Sequence, residues 1–198
     1  MNISSYIFSI LLSFMLYELF FTALIGVSWG SFFLLNGLTH HGRSSHLLPN
    51  VPGRLNKDLF ILFYLNGILF FGALWYFKAV STSTILLGAH ICRRLIESAV
   101  YTYNSRSSMN ILHLATGIVY YPVLLVRSLG SKSANIPVFA VASFVQGALH
   151  YCLFKKRKSV RYLHYLCELI IHCSINMDYL NAAWIISFSA INMLNRNK

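Results

Sequence analysis

Seven apolar runs, over residues 3–35, 59–77, 79–103, 111–126, 134–154, 162–177 and 180–194, fill most of this 198-residue chain and leave it few ways to fold. An apolar run of about 20 residues can cross a bilayer only if its backbone polar groups are satisfied internally, and a helix does that within one segment. Charged residues are 11% of the chain and hydrophobic ones 57%, whereas soluble domains carry about 25% charged residues. The chain therefore reads as an all-α, polytopic membrane bundle of six to seven transmembrane helices. The fourth, sixth and seventh runs are short for a crossing, so low tilt, re-entry or fusion remain open for them. The longest polar stretch, 36–58, is too short to fold separately, so residues 1–198 are expected to form a single membrane-embedded domain. The opening residues "MNISSYIFS" contain no Lys or Arg. A basic n-region is therefore missing, and the first run is expected to be retained.

The formal net charge of +11 would suggest nucleic acid in a soluble protein. Here the cations lie mainly in loops, which argues instead for the positive-inside rule and against a nucleic-acid partner. With the N-terminus lumenal, Arg43, Arg54, Lys57, Arg106, Lys155, Lys156, Arg157, Lys158, Arg161, Arg196 and Lys198 fall in the cytosol, and Lys78, Arg127 and Lys132 fall opposite. That asymmetry favours seven spans. The run "KKRKSVR" at 155–161 is either a topology signal that also attracts anionic lipid or a clamp for an anionic cofactor. Cys92, Cys152, Cys167 and Cys173 form no CxxC pair, so neither a disulfide framework nor a zinc site is expected from them.

Charges inside an apolar span are costly and normally face a bundle interior or a wet cavity. In "LLGAHICRRLIESAVYTY", residues 86–103, His90, Arg94, Glu97 and Tyr101 share one helical face. Arg93 or Arg94 with Glu97 has the spacing of a neutralising pair, which leaves one guanidinium whose planar fork suits a phosphate. A second stripe places Gln146 and His150 four apart, leading into Arg157, and a third places His164, Glu168 and His172 at successive spacings of four. The third stripe also offers imidazole and carboxylate ligands. No HxxHH cluster accompanies it, so no metal is expected. His113 and His172 read as hydrogen-bonded packing groups.

No GxGxxG, GxSxG or HExxH occurs, and Gly26 and Gly30 lie within an apolar helix, where they read as packing residues. A nucleotide would have to bind among the helices.

"HICRRLIES" followed by "YNSRSSMNILHLATGIVYY" resembles the steroid 5-alpha-reductase family, especially its polyprenal reductase branch of dolichol synthesis. "NVPGRLNKDLFILFYLNG", "QGALHYCLFKKR" and "HYLCELIIHCS" extend the resemblance over about 51–174. It implies a seven-helix fold of the endoplasmic reticulum membrane that binds NADPH between the cytosolic halves of its helices. It also implies that Arg94, Gln146, His150, Arg157, His164 and Glu168 surround NADPH, with Arg94 and Arg157 at phosphates. The implied reaction is reduction of the conjugated C=C of polyprenal, supporting protein N-glycosylation. The implied partners are membrane lipid and a long-chain polyprenoid or another apolar enal or enone.

A 4-ene-3-oxosteroid, an enoyl-CoA and a non-catalytic descendant are the alternatives. The catalytic residues are not assigned. Tyr101, Tyr120, Tyr121 and Tyr165 are chemically suited to donate to a substrate carbonyl, and Glu18 is an intramembrane carboxyl. Two departures stand out. The loop before the His-Tyr-Leu-x-Glu segment is shorter than in the family, and the C-terminal His-(Lys or Arg)-x-Tyr motif is replaced by "NMLNRNK".

Overall fold

Seven α-helices follow the seven apolar runs closely: α1 (Ile3–Leu34), α2 (Ile61–Tyr76), α3 (Thr82–Val100), α4 (Ile111–Ser128), α5 (Ile136–Phe154), α6 (Leu163–Ile175) and α7 (Tyr179–Leu194). The structure, a computed structural model, describes residues 3–34, 54–101, 108–131, 134–155 and 162–195. Among the described residues, four segments are long and apolar enough to cross a membrane: Phe14–Leu34, Lys57–Tyr76, Ile111–Ser128 and Ile136–Phe154. The others differ for separate reasons. Helix α3 carries Arg93, Arg94 and Glu97, while α6 and α7 have only 13 and 16 residues, or about 20 and 24 Å of helix against a core of about 30 Å.

The helix ends are set by local polar chemistry. Ser81 caps α3 by accepting from Thr84 N, Asn110 caps α4 by accepting from His113 N, and Asp178 caps α7 by accepting from Leu180 N and Asn181 N. Outer faces carry exposed Leu19, Val27, Leu69, Phe144 and Ile186. Such faces are stable in contact with lipid tails and costly in water.

One feature departs from an all-α reading. Three-residue strands β1 (Arg54–Asn56) and β2 (Ser108–Asn110) pair antiparallel, with Leu55 opposite Met109. Three residues are too few to show a two-residue hydrophobic period, so the strands had no sequence signal. Their effect is positional. A 3-10 turn over Lys57–Phe60 leads from β1 into α2, and β2 leads directly into α4. The pair therefore brings the starts of α2 and α4 together.

Small residues then let these two helices approach closely. A Cβ on Gly67 would lie 3.0 Å from Tyr121 Cβ, and one on Gly117 would overlap the Phe63 ring. Gly88 of α3 is similarly filled by Phe71 of α2, at 2.7 Å. These are the packing glycines, and Gly26 and Gly30 are not. Nothing among the described residues lies within 4 Å of a Cβ at either position, which corrects their reading as packing residues. Pro122 has no N–H to give the Ile118 carbonyl one turn back, and Asn66 Nδ2 of α2 donates to that carbonyl at 2.8 Å. The proline in α4 thus creates an acceptor that only a neighbouring helix can satisfy.

Two predictions follow from this packing. Asn66→Ala strands a half-buried carbonyl and should cost about 1 kcal/mol, whereas in a Pro122→Ala background the restored N–H should remove most of that cost. Chemical unfolding in micelles, read by far-UV circular dichroism as a double-mutant cycle, measures the difference. Gly117→Ala should destabilise by about 1–3 kcal/mol through overpacking, while Gly26→Ala should be neutral or slightly stabilising by helix propensity. Thermal unfolding of the two variants distinguishes them.

Candidate functional site

The three polar stripes meet at one end of the bundle because α3 and α5 finish there while α2 and α6 begin there. Tyr64 lies near the start of α2, Arg93, Arg94 and Glu97 near the end of α3, Gln146 and His150 near the end of α5, and Glu168 within α6. Glu97 is the junction. Its Oε1 accepts from Arg93 Nη1, its Oε2 accepts from Arg94 Nη1, and His150 Nδ1 lies 2.7 Å from Oε2. Arg94 Nη1 is 2.6 Å from His150 Nδ1, and Arg94 Nη2 donates to Tyr64 Oη at 2.9 Å.

Arg93 extends the group inward. Its Nη2 donates to Gln146 Oε1 and lies 3.3 Å from His90 Nδ1. Gln146, fully buried, passes the network on: its Nε2 donates to Glu168 Oε2 and to the His164 carbonyl at 3.2 Å. Glu168 Oε1 faces His90 Nε2 at 3.3 Å and His172 Nε2 at 3.5 Å. His172 Nδ1 lies 3.2 Å from the Asn181 amide of α7, and Asn181 Oδ1 accepts from Tyr120 Oη of α4 at 2.8 Å. Side chains from six of the seven helices share one polar interior. Near the opposite end, Arg127 pairs with Asp178 at 3.2 Å and stacks over Phe14 and Tyr17 of α1.

Of the residues expected around a cofactor, Arg94, Gln146, His150 and Glu168 belong to this group. His164 enters it through its carbonyl, while its ring lies on Tyr165, with centroids 4.0 Å apart, and 5.5 Å from the ring of His150. Arg157 lies outside the described residues, as do Arg161 and the rest of the basic run after Lys155. The one-face reading of α3 needs adjustment. His90, Arg94 and Glu97 do face the group, and Arg93 joins them because it is three residues from His90 and four from Glu97, within the same broad face. Tyr101, the residue after the last turn, instead stacks on Phe154 at 4.4 Å.

Tyr64, Asn181 and Tyr120's partnership with it carried no sequence signal. Tyr64 sits in a helix with no polar periodicity, and the position of Asn181 depends on the α6–α7 connection. Among the other tyrosines, Tyr121 is buried against Tyr64 at 5.4 Å. Glu18 is exposed on α1.

Both guanidinium groups depend on Glu97, whose side chain is only 10% exposed. Glu97→Gln should therefore destabilise the fold by about 3–5 kcal/mol, the cost of leaving buried charge uncompensated. Arg127→Ala removes a pair that is 40% exposed on the arginine side and should cost about 1 kcal/mol or less. Unfolding midpoints of both variants in the same detergent provide the measurement.

No protein-family model, no curated protein and no solved structure matches this chain.

Proposed function

We propose that this chain is an NADPH-dependent reductase of the endoplasmic reticulum membrane, with all seven helices embedded, that reduces the conjugated C=C of a long polyprenal for dolichol synthesis. The observation that carries the reading is the convergence of Arg94, Gln146, His150 and Glu168, residues far apart in sequence, into one hydrogen-bonded group with the His164 backbone. The residues fit an anionic nucleotide by donor type. Two guanidinium forks stand side by side, and Arg93 Nε is buried with no hydrogen-bond partner among the described residues.

Arg94, with Arg93 beside it, is the phosphate-holding pair in this reading, and Glu97 holds both guanidinium groups in place before a ligand arrives. Gln146, His150, His164 and Glu168 supply hydrogen bonds to the ribose, amide or adenine groups. Arg157 is assigned to a phosphate by the resemblance alone. NADPH, when bound, supplies the hydride for the carbon beta to the substrate carbonyl. The apolar helices would hold the polyprenoid tail, since a long isoprenoid and lipid-facing Leu, Val and Phe exclude water alike.

A second reading has its own observation. Arg93 and Arg94 are matched by Glu97 and Glu168, so with neutral histidines the described cluster is formally balanced, and Glu97 already occupies both forks. A non-catalytic bundle needs no more than that.

Titrating the purified protein in micelles with NADPH separates the two. The reductase reading requires saturable binding that weakens about tenfold or more in Arg94→Ala, from loss of a charge-assisted contact, and is unchanged in Arg127→Ala. A folded preparation that binds no NADPH overturns it. Comparing reduction of polyprenal, a 4-ene-3-oxosteroid and an enoyl-CoA then tests the substrate, with polyprenal expected to be fastest.

A further inference from the structure

One part of the polar interior is left over by the cofactor reading. His90 of α3 and His172 of α6 are 1% and 4% exposed, and the Nε2 atom of each is buried with no hydrogen-bond partner among the described residues. Both atoms lie near the same oxygen, Glu168 Oε1, at 3.3 and 3.5 Å. One ligand atom from each of the three residues lies within 4.8 Å of the others. A bundle that satisfies the side-chain amides of Gln146 and Asn181, yet leaves two orphaned imidazole nitrogens beside one carboxylate oxygen, is missing a partner between them.

We propose that His90, Glu168 and His172 bind a divalent transition-metal ion of the zinc class. Metal bonds of about 2.0–2.1 Å at tetrahedral angles place neighbouring ligand atoms about 3.3–3.4 Å apart. The two Glu168 to histidine separations match that edge. Two imidazoles and one carboxylate are the donor set of a zinc site with three protein ligands, which leaves a fourth position for water or a carbonyl oxygen. Glu168 and His172 are four apart on α6, so the helix itself presents two of the ligands on one face. The Glu168 side chain keeps 23% of its surface exposed, which gives the ion a way in.

The surroundings specify what must change on binding. A ring that ligates through Nε2 carries its proton on Nδ1. For His172 this turns the Asn181 amide oxygen toward Nδ1, and the Tyr120 hydroxyl then accepts from the amide nitrogen where it now donates to the oxygen. For His90 the 3.3 Å contact with Arg93 Nη2 is released, leaving Arg93 on Glu97 and Gln146. The ligand set is not the His164, Glu168, His172 series seen in the sequence. His164 lies on Tyr165, and His90 takes the third place from another helix.

The site shares only Glu168 with the residues assigned to NADPH, so the two ideas can fail separately. Purified protein should contain about one equivalent of zinc-class metal per chain, or take up one equivalent of Co2+ with the intense visible absorption of tetrahedral cobalt. His90→Ala and His172→Ala should each lower that content at least tenfold with unchanged circular dichroism, while Arg94→Ala should keep the metal. X-ray absorption at the metal edge of the wild type should show two imidazoles and no sulfur, a readout that needs no variant to fold. Folded wild-type protein that neither contains metal nor binds Co2+ overturns the proposal. Metal retained in both histidine variants, or sulfur in the ligand shell, overturns it equally.

Discussion

Glu97 holds two arginines in the interior of the helical bundle, and the placement of the described helices answers that requirement. A buried carboxylate beside two guanidinium groups is tolerable only if every fork finds an acceptor, because an uncompensated charge in a low-dielectric interior costs several kcal/mol. The acceptors come from different helices: Tyr64 from α2, Gln146 from α5 and, through Gln146, Glu168 from α6. Satisfying one short stretch of α3 therefore fixes the positions of three neighbours. Apolar packing alone would give no such register, since lipid and side-chain hydrocarbon are nearly equivalent partners for a helix face.

The polar interior also depends on close backbone approach elsewhere. Gly67, Gly88 and Gly117 let α2 lie against α3 and α4 so tightly that Tyr64 reaches Arg94 and Asn66 reaches the carbonyl freed by Pro122. The β1–β2 pair holds the starts of α2 and α4 together. At the far end, Ser83 donates to the Ile175 carbonyl at 2.7 Å and Ser128 to Thr84 at 3.0 Å, tying α3 to α6 and to α4. A bundle pinned at both ends can hold its central residues within hydrogen-bonding distance without a large apolar driving force.

Much of this was legible in the chain. Apolar runs located all seven helices, and four-residue spacings identified the inward faces of α3, α5 and α6, because helical period and bilayer solvation act on residues close in sequence. Arg94, Gln146, His150 and Glu168 were found this way. Tyr64 and Asn181 were not, since a residue's place on its own helix does not reveal which neighbour it meets. The opposite error occurred at Gly26 and Gly30, whose spacing matched a packing motif although nothing among the described residues lies within 4 Å of a Cβ there.

The sequence by itself determined that the chain is a membrane-type helical bundle, where its helices run, and that its few interior charges must face one another. Those outcomes rest on local periodicity and on the cost of exposing charge to hydrocarbon. Only the tertiary structure decided which charges meet. It placed both arginines on Glu97, drew Gln146 between Arg93 and Glu168, and exchanged His164 for His90 beside Glu168 and His172. The physical reason is that helical spacing fixes a residue's direction from its own axis, whereas its partner depends on crossing angle and axial offset. In this fold those are set by glycine contacts between helices and by a six-residue β-pair that joins the starts of α2 and α4.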